Sequence, residues 1–238
     1  GDEPILPTPV IAVLGIVASN RRGRGDGGGS NGPGKRDLKL DTLAAAINGD
    51  VLVHIHCYRA DEIAQMLDLA QEFNFQVAAF HHGVEAYKLA DELAQANTCA
   101  ALWADWWGFK MEALDGIQEN VALVDRPEGS CAIVHSDSGE GIQRLNQEAA
   151  KVIASARRAG MEIAPERAIR WLTANPARSM GILDQTGTLE QGKMADVVLW
   201  NGNPFSSYAL AENVWIDGAL RASALHPMSD CEDKLTGR

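Results

Sequence analysis

Three strand-like runs in this chain end in side chains that bind metal ions. Val51-Leu-Val-His-Ile-His56-Cys57 closes on His56, Gln76-Val-Ala-Ala-Phe-His-His82 on His82, and Cys131-Ala-Ile-Val-His135 leads into Ser136-Asp137. Two imidazoles and a carboxylate can hold Zn²⁺ or a similar divalent ion and leave a position for water, whose pKa the ion lowers toward about 7. With Asp137 as proton acceptor, that water can attack a carbonyl carbon. Each group also has a plainer use. Side chains alternate along a strand, so His81 points away from His82 and one of the two packs, whereas His54 shares a face with His56 but lies deeper. Asp137 can instead cap the next helix from within Ser136-Asp137-Ser138. The aromatic run Trp103 to Phe109 suits a core, although it follows a strand and part of it should reach the same end as the ligands.

Those residues meet only if their strands lie side by side. From Val51 onward, short apolar β-prone runs alternate with amphipathic helical stretches, the pattern of βα units stacked into a parallel sheet. The apolar spacing of Ile63, Met66, Leu67 and Ala70 predicts a helix over 60–73. Further helices are expected over 85–95 and 141–158, and further strands over 98–103 and 131–135. In such folds ligands bind beyond the carboxyl ends of the strands, which is where the three candidate ligands fall. Four repeats amount to half of a TIM-type barrel. Beyond them, 165–173 reads as a short helix, and Asn175-Pro176-Ala177 as a cap followed by proline at the first helical position. The tail then turns to short strands at Gly187–Glu190, Ala195–Trp200, Val214–Ile216 and Ala219–Arg221. Asp217-Gly218 is a strong hairpin signal between the last two.

Composition narrows the class. The 238 residues carry a net charge of −11, with 46% hydrophobic and 22% charged residues. A polyanion would on average be repelled, which argues against a nucleic-acid partner. No apolar run approaches the ~20 residues that span a bilayer. The apolar stretch Val10 to Ala18 is preceded by Asp2 and Glu3 and followed by Arg21, Arg22 and Arg24, the reverse of a secretory signal's charge order. It is therefore expected to be either a strand, able to pair with one edge of the sheet, or a remnant foreign to the rest of the chain, and not a signal. Residues 21–36, with seven glycines, read as a flexible linker. Cys57, Cys99, Cys131 and Cys231 form no CxxC pair, so neither a disulfide framework nor a zinc ribbon is expected, and a reducing, cytoplasmic setting is the default. The glycine-rich stretch lacks GxxxxGK[ST], which disfavours a phosphate-binding protein.

Taken in order, His54-Ile-His56-Cys-Tyr-Arg-Ala-Asp-Glu-Ile63, Phe80-His-His82-Gly-Val-Glu-Ala-Tyr-Lys88, Val134-His-Ser-Asp137, Thr173-Ala-Asn-Pro-Ala177 and Gly187-Thr-Leu-Glu-Gln-Gly-Lys-Met-Ala-Asp-Val-Val198 resemble the amidohydrolase superfamily. The likeness is to its imidazolonepropionase-like and prolidase-like members and covers about residues 36–224. It implies a (β/α)₈ barrel with a flanking β-sandwich, a divalent metal centre (zinc above all), and hydrolysis of C–N bonds in amides, cyclic amides or dipeptide-like small molecules. By position His56 would match the ligand of the fifth barrel strand, His82 that of the sixth, and Asp137 the metal-binding general base of the eighth. Tyr58, Arg59, Trp106, Lys110 and His135 would lie near the substrate. The family's first-strand His-x-His pair and fourth-strand bridging residue have no counterpart here, since none of the six histidines precedes His54. The chain thus resembles the carboxyl-terminal half of such an enzyme: an unmatched segment 1–36, a half-barrel over 37–184, part of a β-sandwich over 185–224 and a tail over 225–238. Two functional expectations follow. One is a metal-dependent amidohydrolase; the other is a folded but catalytically incomplete relative that self-associates or awaits a complementary half.

Overall fold

A computed structural model describes residues 10–14 and 37–223. The linker expected over 21–36 and the tail from 225, with His226 and Cys231, lie outside the described residues. Five strands form one parallel sheet in the order β1 (Val10–Leu14), β2 (Val51–Cys57), β3 (Val77–His82), β4 (Cys99–Leu102) and β5 (Ala132–Val134). Helices α2 (Ala60–Phe73), α3 (Ala90–Gln95), α4 (Asn120–Asp125) and α5 (Leu145–Arg158) connect or follow these strands, as the βα pattern requires. The N-terminal apolar run does pair with β2, Val10 opposite Val51 through Leu14 opposite Ile55, so the strand carrying His56 is not an edge.

The two faces of the sheet have different contents. Val53, Ile55 and Cys57 of β2, Phe80 of β3, Ala100 and Leu102 of β4, and Ala132 and Val134 of β5 bury the helix-facing side. Ala79, Cys99, Ala101, Cys131 and Ile133 fill the other side. Strand alternation puts His54, His56, His81 and His135 on that second side. Near-continuous apolar strands are the mark of a parallel sheet covered on both faces.

Several expectations need correction. Cys99 and Cys131 form a disulfide with their Cα atoms 4.5 Å apart. The pairing of Ala100 with Ala132 sets the preceding residues side by side, which a separation of 32 residues in the chain conceals. Cys57 is free and buried. Helix α1 (Leu38–Asn48) was not anticipated; the Asp37 carboxylate caps it, accepting from the backbone of Lys39 at 2.9 Å and of Leu40 at 3.4 Å. Gly187–Glu190 is not a strand. Its glycine sits at φ 89°, where an added Cβ would lie 2.6 Å from that of Ala177. Asn175 does not cap a helix. Helix α7 runs Ala174–Ser179, with Pro176 inside its first turn, and the Asn175 amide donates to Ala132 O at 2.7 Å. Before it come α6 (Pro165–Ala168) and a 3₁₀ turn at Ile169–Trp171.

The last strands, β6 (Val197–Trp200), β7 (Ala211–Ile216) and β8 (Ala219–Ser223), make a separate antiparallel sheet, one layer among the described residues. Asp217 and Gly218, at φ 51° and 75°, form the hairpin turn expected between β7 and β8. No described helix is long and apolar enough to cross a membrane.

Candidate metal centre

Five histidines gather at the carboxyl ends of β2, β3 and β5. His54 and His81 form the lower pair. The Nε2 of His54 lies 3.2 Å from the carbonyl of Ser179, and its Nδ1 lies 2.9 Å from Nε2 of His81. A carbonyl only accepts, so Nε2 of His54 carries the proton and donates to Ser179. Its Nδ1 is then an acceptor for the Nε2–H of His81. This order requires a neutral His54. Burial holds His54 below the usual histidine range and lowers His81 to about 4. The His81 ring in turn stacks against His56, centroids 5.2 Å apart and planes 17° apart. His81 is therefore part of the cluster rather than a remote packing residue, and sequence reasoning gave neither it nor His54 a place in the site.

His82 departs from the alternation. By parity it belongs to the helix side with Phe80, but its backbone has φ 73°, a left-handed conformation uncommon for a residue other than glycine. That turn carries the ring over to the histidine side, 2.6 Å from His56 Nδ1 through its Nε2 and 3.3 Å from Asp137 Oδ2 through its Nδ1. The ring is nearly buried, and Tyr58 and Trp103 cover it, with centroids 4.9 Å and 4.7 Å away. Gly83 follows at φ 39°, where a Cβ would come within 2.7 Å of Leu102 Cδ2.

His135 and Asp137 arrive from the loop after β5. His135 packs face to face on Trp103, 5.6 Å between centroids with planes 14° apart, and its Nδ1 is 3.9 Å from Asp137 Oδ1. Asp137 is not used as a helix cap: the hydroxyls of Ser136 and Ser138 accept from the backbone in this turn. Its carboxylate faces His82 and His135 instead.

Donor atoms of His82, His135 and Asp137 all lie within 4.8 Å of one another. Tetrahedral zinc bonds of ~2.0–2.2 Å set ligand atoms ~3.4 Å apart, so side-chain shifts of about an ångström close this set on one ion. The buried His135 Nε2 has no hydrogen-bond partner, and the buried His82 Nδ1 has only the Asp137 carboxylate beside it, without hydrogen-bond geometry. Burial lowers the pKa of each ring to about 4, so at neutral pH these are uncharged imidazoles beside a carboxylate. Two imidazoles and a carboxylate are a donor set that suits a divalent cation.

The remaining candidates spread out from this point. His56 touches His82 through the opposite ring nitrogen and lies outside the three-residue set. Lys110 Nζ stands 3.7 Å over the Tyr58 ring. Trp106 stacks on Trp103 at 5.3 Å and lines a small cleft with His82, Asp105 and Asn120. Arg59 is exposed and pairs through two 2.9 Å bonds with Asp61.

The three lowered imidazoles also predict acid lability of the metal-free chain. His81, His82 and His135 titrate near 4 when folded against 6.5 for the free side chain. Between those values the unfolded chain binds protons that the folded chain refuses, so the folded state loses stability as pH falls from about 6.5 toward 4. Each ring contributes up to about 1.4 kcal/mol per pH unit in that window. Urea midpoints of the chelator-treated protein are expected to fall steeply between pH 6.5 and 4.5 and stay flat between pH 7 and 8; a flat profile through pH 5 would show the rings to be solvated.

Comparison with known proteins gives a consistent picture. Residues 37–222 match the Amidohydrolase family. The chain is 30% identical over 190 residues to Amidohydrolase tasK of Hapsidospora irregularis, spanning 78% of this chain and 19% of that one. It is 27% identical over 186 residues to the imidazolonepropionase of Brucella anthropi, spanning 69% and 44%. An amidohydrolase of Thermotoga maritima superposes with a TM-score of 0.67 at 30% identity, over 81% of this chain and 49% of that structure. A zinc-bound adenosine deaminase of Xanthomonas campestris shares the fold at a TM-score of 0.57 and 18% identity, over 84% and 51%. The chain thus spans about half the length of these solved structures and under half of these curated relatives. The parallel α/β sheet is consistent with part of a TIM-type barrel.

Proposed function

From the premise that this chain belongs to the amidohydrolase family, we propose that it carries the cation-binding end of a metal-dependent hydrolase acting on C–N bonds of small amides, cyclic amides or dipeptide-like molecules. The observation that carries this reading is the convergence of His82, His135 and Asp137 at the strand ends, with the buried His82 Nδ1 facing the Asp137 carboxylate and the buried His135 Nε2 without a hydrogen-bond partner. In the proposal these three residues hold a divalent cation, zinc by donor type, and His56 supports His82 from the other side of its ring. Such a cation, when bound, acts as a Lewis acid that makes water nucleophilic near neutral pH and polarises a carbonyl.

The chain's own residues supply the rest. Asp137, half exposed at the rim, is placed to take a proton from the attacking water and return it to the departing nitrogen. Tyr58 and Trp103 cover His82 and exclude bulk solvent from it. In the proposal Trp106, stacked on Trp103, and the Lys110 ammonium, close above Tyr58, contact the substrate. Arg59, held by Asp61, is a weaker candidate for substrate contact.

Hydrolysis of a panel of N-acyl amino acids, dipeptides and cyclic amides by the purified chain tests this. Activity should require added zinc, vanish with a chelator, and fall roughly 10²–10⁴-fold in Asp137→Asn, the range of a lost general base. A chain that binds zinc through His82 yet hydrolyses nothing would support the catalytically incomplete alternative.

A further inference from the structure

The conformation of His82 is costly, and something must hold it. Left-handed backbone at a residue other than glycine persists only where its surroundings over-determine it. The loop that follows is fastened by backbone bonds, Gly83 N to Cys57 O at 2.9 Å and Glu85 N to Tyr58 O at 3.0 Å. It is also fastened by one side chain from a different element. Asn120, at the start of α4 and 3% exposed, donates through Nδ2 to Gly83 O at 2.9 Å and to Val84 O at 3.1 Å, and accepts through Oδ1 from Tyr87 N at 2.9 Å. Both amide protons and the carbonyl are engaged, all with the segment immediately after His82. Asn120 also lines the cleft beside His82, Trp103 and Trp106.

We infer that Asn120 is a positioning residue for the metal centre: by clamping residues 83–87 it keeps His82 turned out of strand register, with its ring toward His135 and Asp137. The inference rests on the reading of His82 as a ligand. A side chain that acts through a ligand in this way is the protein counterpart of an outer-shell hydrogen bond, whose removal typically lowers metal affinity 10–100-fold. Asn120→Asp keeps the acceptor for Tyr87 N and loses both donors, setting a carboxylate against two carbonyls. Asn120→Ser keeps one small donor and leaves space for water.

The test is titration of the full 238-residue chain with Co²⁺, read by its visible absorption, and competition with Zn²⁺. Both Asn120 variants should bind Co²⁺ about 10–100-fold more weakly than the parent and show an altered absorption band. Should Asn120→Asp fail to fold, Asn120→Ser is the variant read. In the unsubstituted chain, the Asn120 side-chain amide protons should exchange slowly and shift on zinc addition. A folded variant with lowered urea stability and unchanged Co²⁺ affinity would overturn the inference and leave Asn120 merely structural. So would an Asn120 amide in the parent that exchanges freely and ignores zinc. His82→Ala separates the two levels. If it binds Co²⁺ as tightly as the parent, the reading of the centre fails; if it loses binding while the Asn120 variants retain it, only the positioning role fails.

Discussion

His82→Ala and His135→Ala are expected to lower zinc affinity by well over the roughly 10–100-fold typical of an outer-shell change, and His56→Ala to fall within that range. The ranking follows from which atoms converge. His82, His135 and Asp137 present donors within 4.8 Å of one another, whereas His56 approaches His82 from the opposite ring nitrogen. An imidazole whose Nε2 is engaged with His56 offers only Nδ1 to an ion beside Asp137. Zinc competition against a chromophoric chelator at neutral pH, where burial keeps His82 and His135 uncharged, measures the order directly. If His56→Ala costs more than His135→Ala, the centre is instead the His56–His82–Asp137 set that strand ends alone suggest.

The largest loss of stability is expected from Phe80→Ala. Phe80 is fully buried in the middle of the sheet, paired with Ile55 on one side and Ala100 on the other. Removing a buried phenyl ring costs about 3–5 kcal/mol, the transfer energy of the ring plus the cavity left behind. Against a total of roughly 5–15 kcal/mol for a folded domain, that is enough to leave a marginal chain partly unfolded. Urea denaturation should show a lowered midpoint with little change in slope. Zinc should raise the variant's midpoint, since an ion that binds only the folded chain stabilises it by mass action. A midpoint within error of the parent would mean that β3 is not the centre of the core.

What sequence reasoning reached, it reached through local signals. Strands β2 to β5 and the helix α2 follow from runs and spacings within a few residues, and the β7–β8 turn follows from Asp217-Gly218 alone. Helix α1 was not anticipated although Asp37 and the spacing of Leu40, Leu43 and Ile47 were available in the sequence; its apolar residues are exposed in the fold. Gly187–Glu190 looked like a strand by composition, but the close approach of Gly187 to Ala177 gives it a different conformation. The unexpected disulfide has the same origin: Cys99 and Cys131 are neighbours only because β4 and β5 pair in one particular register.

The candidate site divides along the same line. By itself the sequence determined that imidazoles and a carboxylate would stand at the carboxyl ends of parallel strands, because periodicity and residue type decide strand placement within each βα unit. It also determined the family, through short strings in a fixed order. Only the tertiary structure decided which of those groups face one another. His82 leaves the face that alternation assigns it, and the hydrogen bonds that hold its loop come from Asn120 in a later helix. His135 joins Asp137 because Trp103 provides the surface on which its ring lies. Such contacts join residues tens of positions apart, and no pattern within a single strand or helix encodes them.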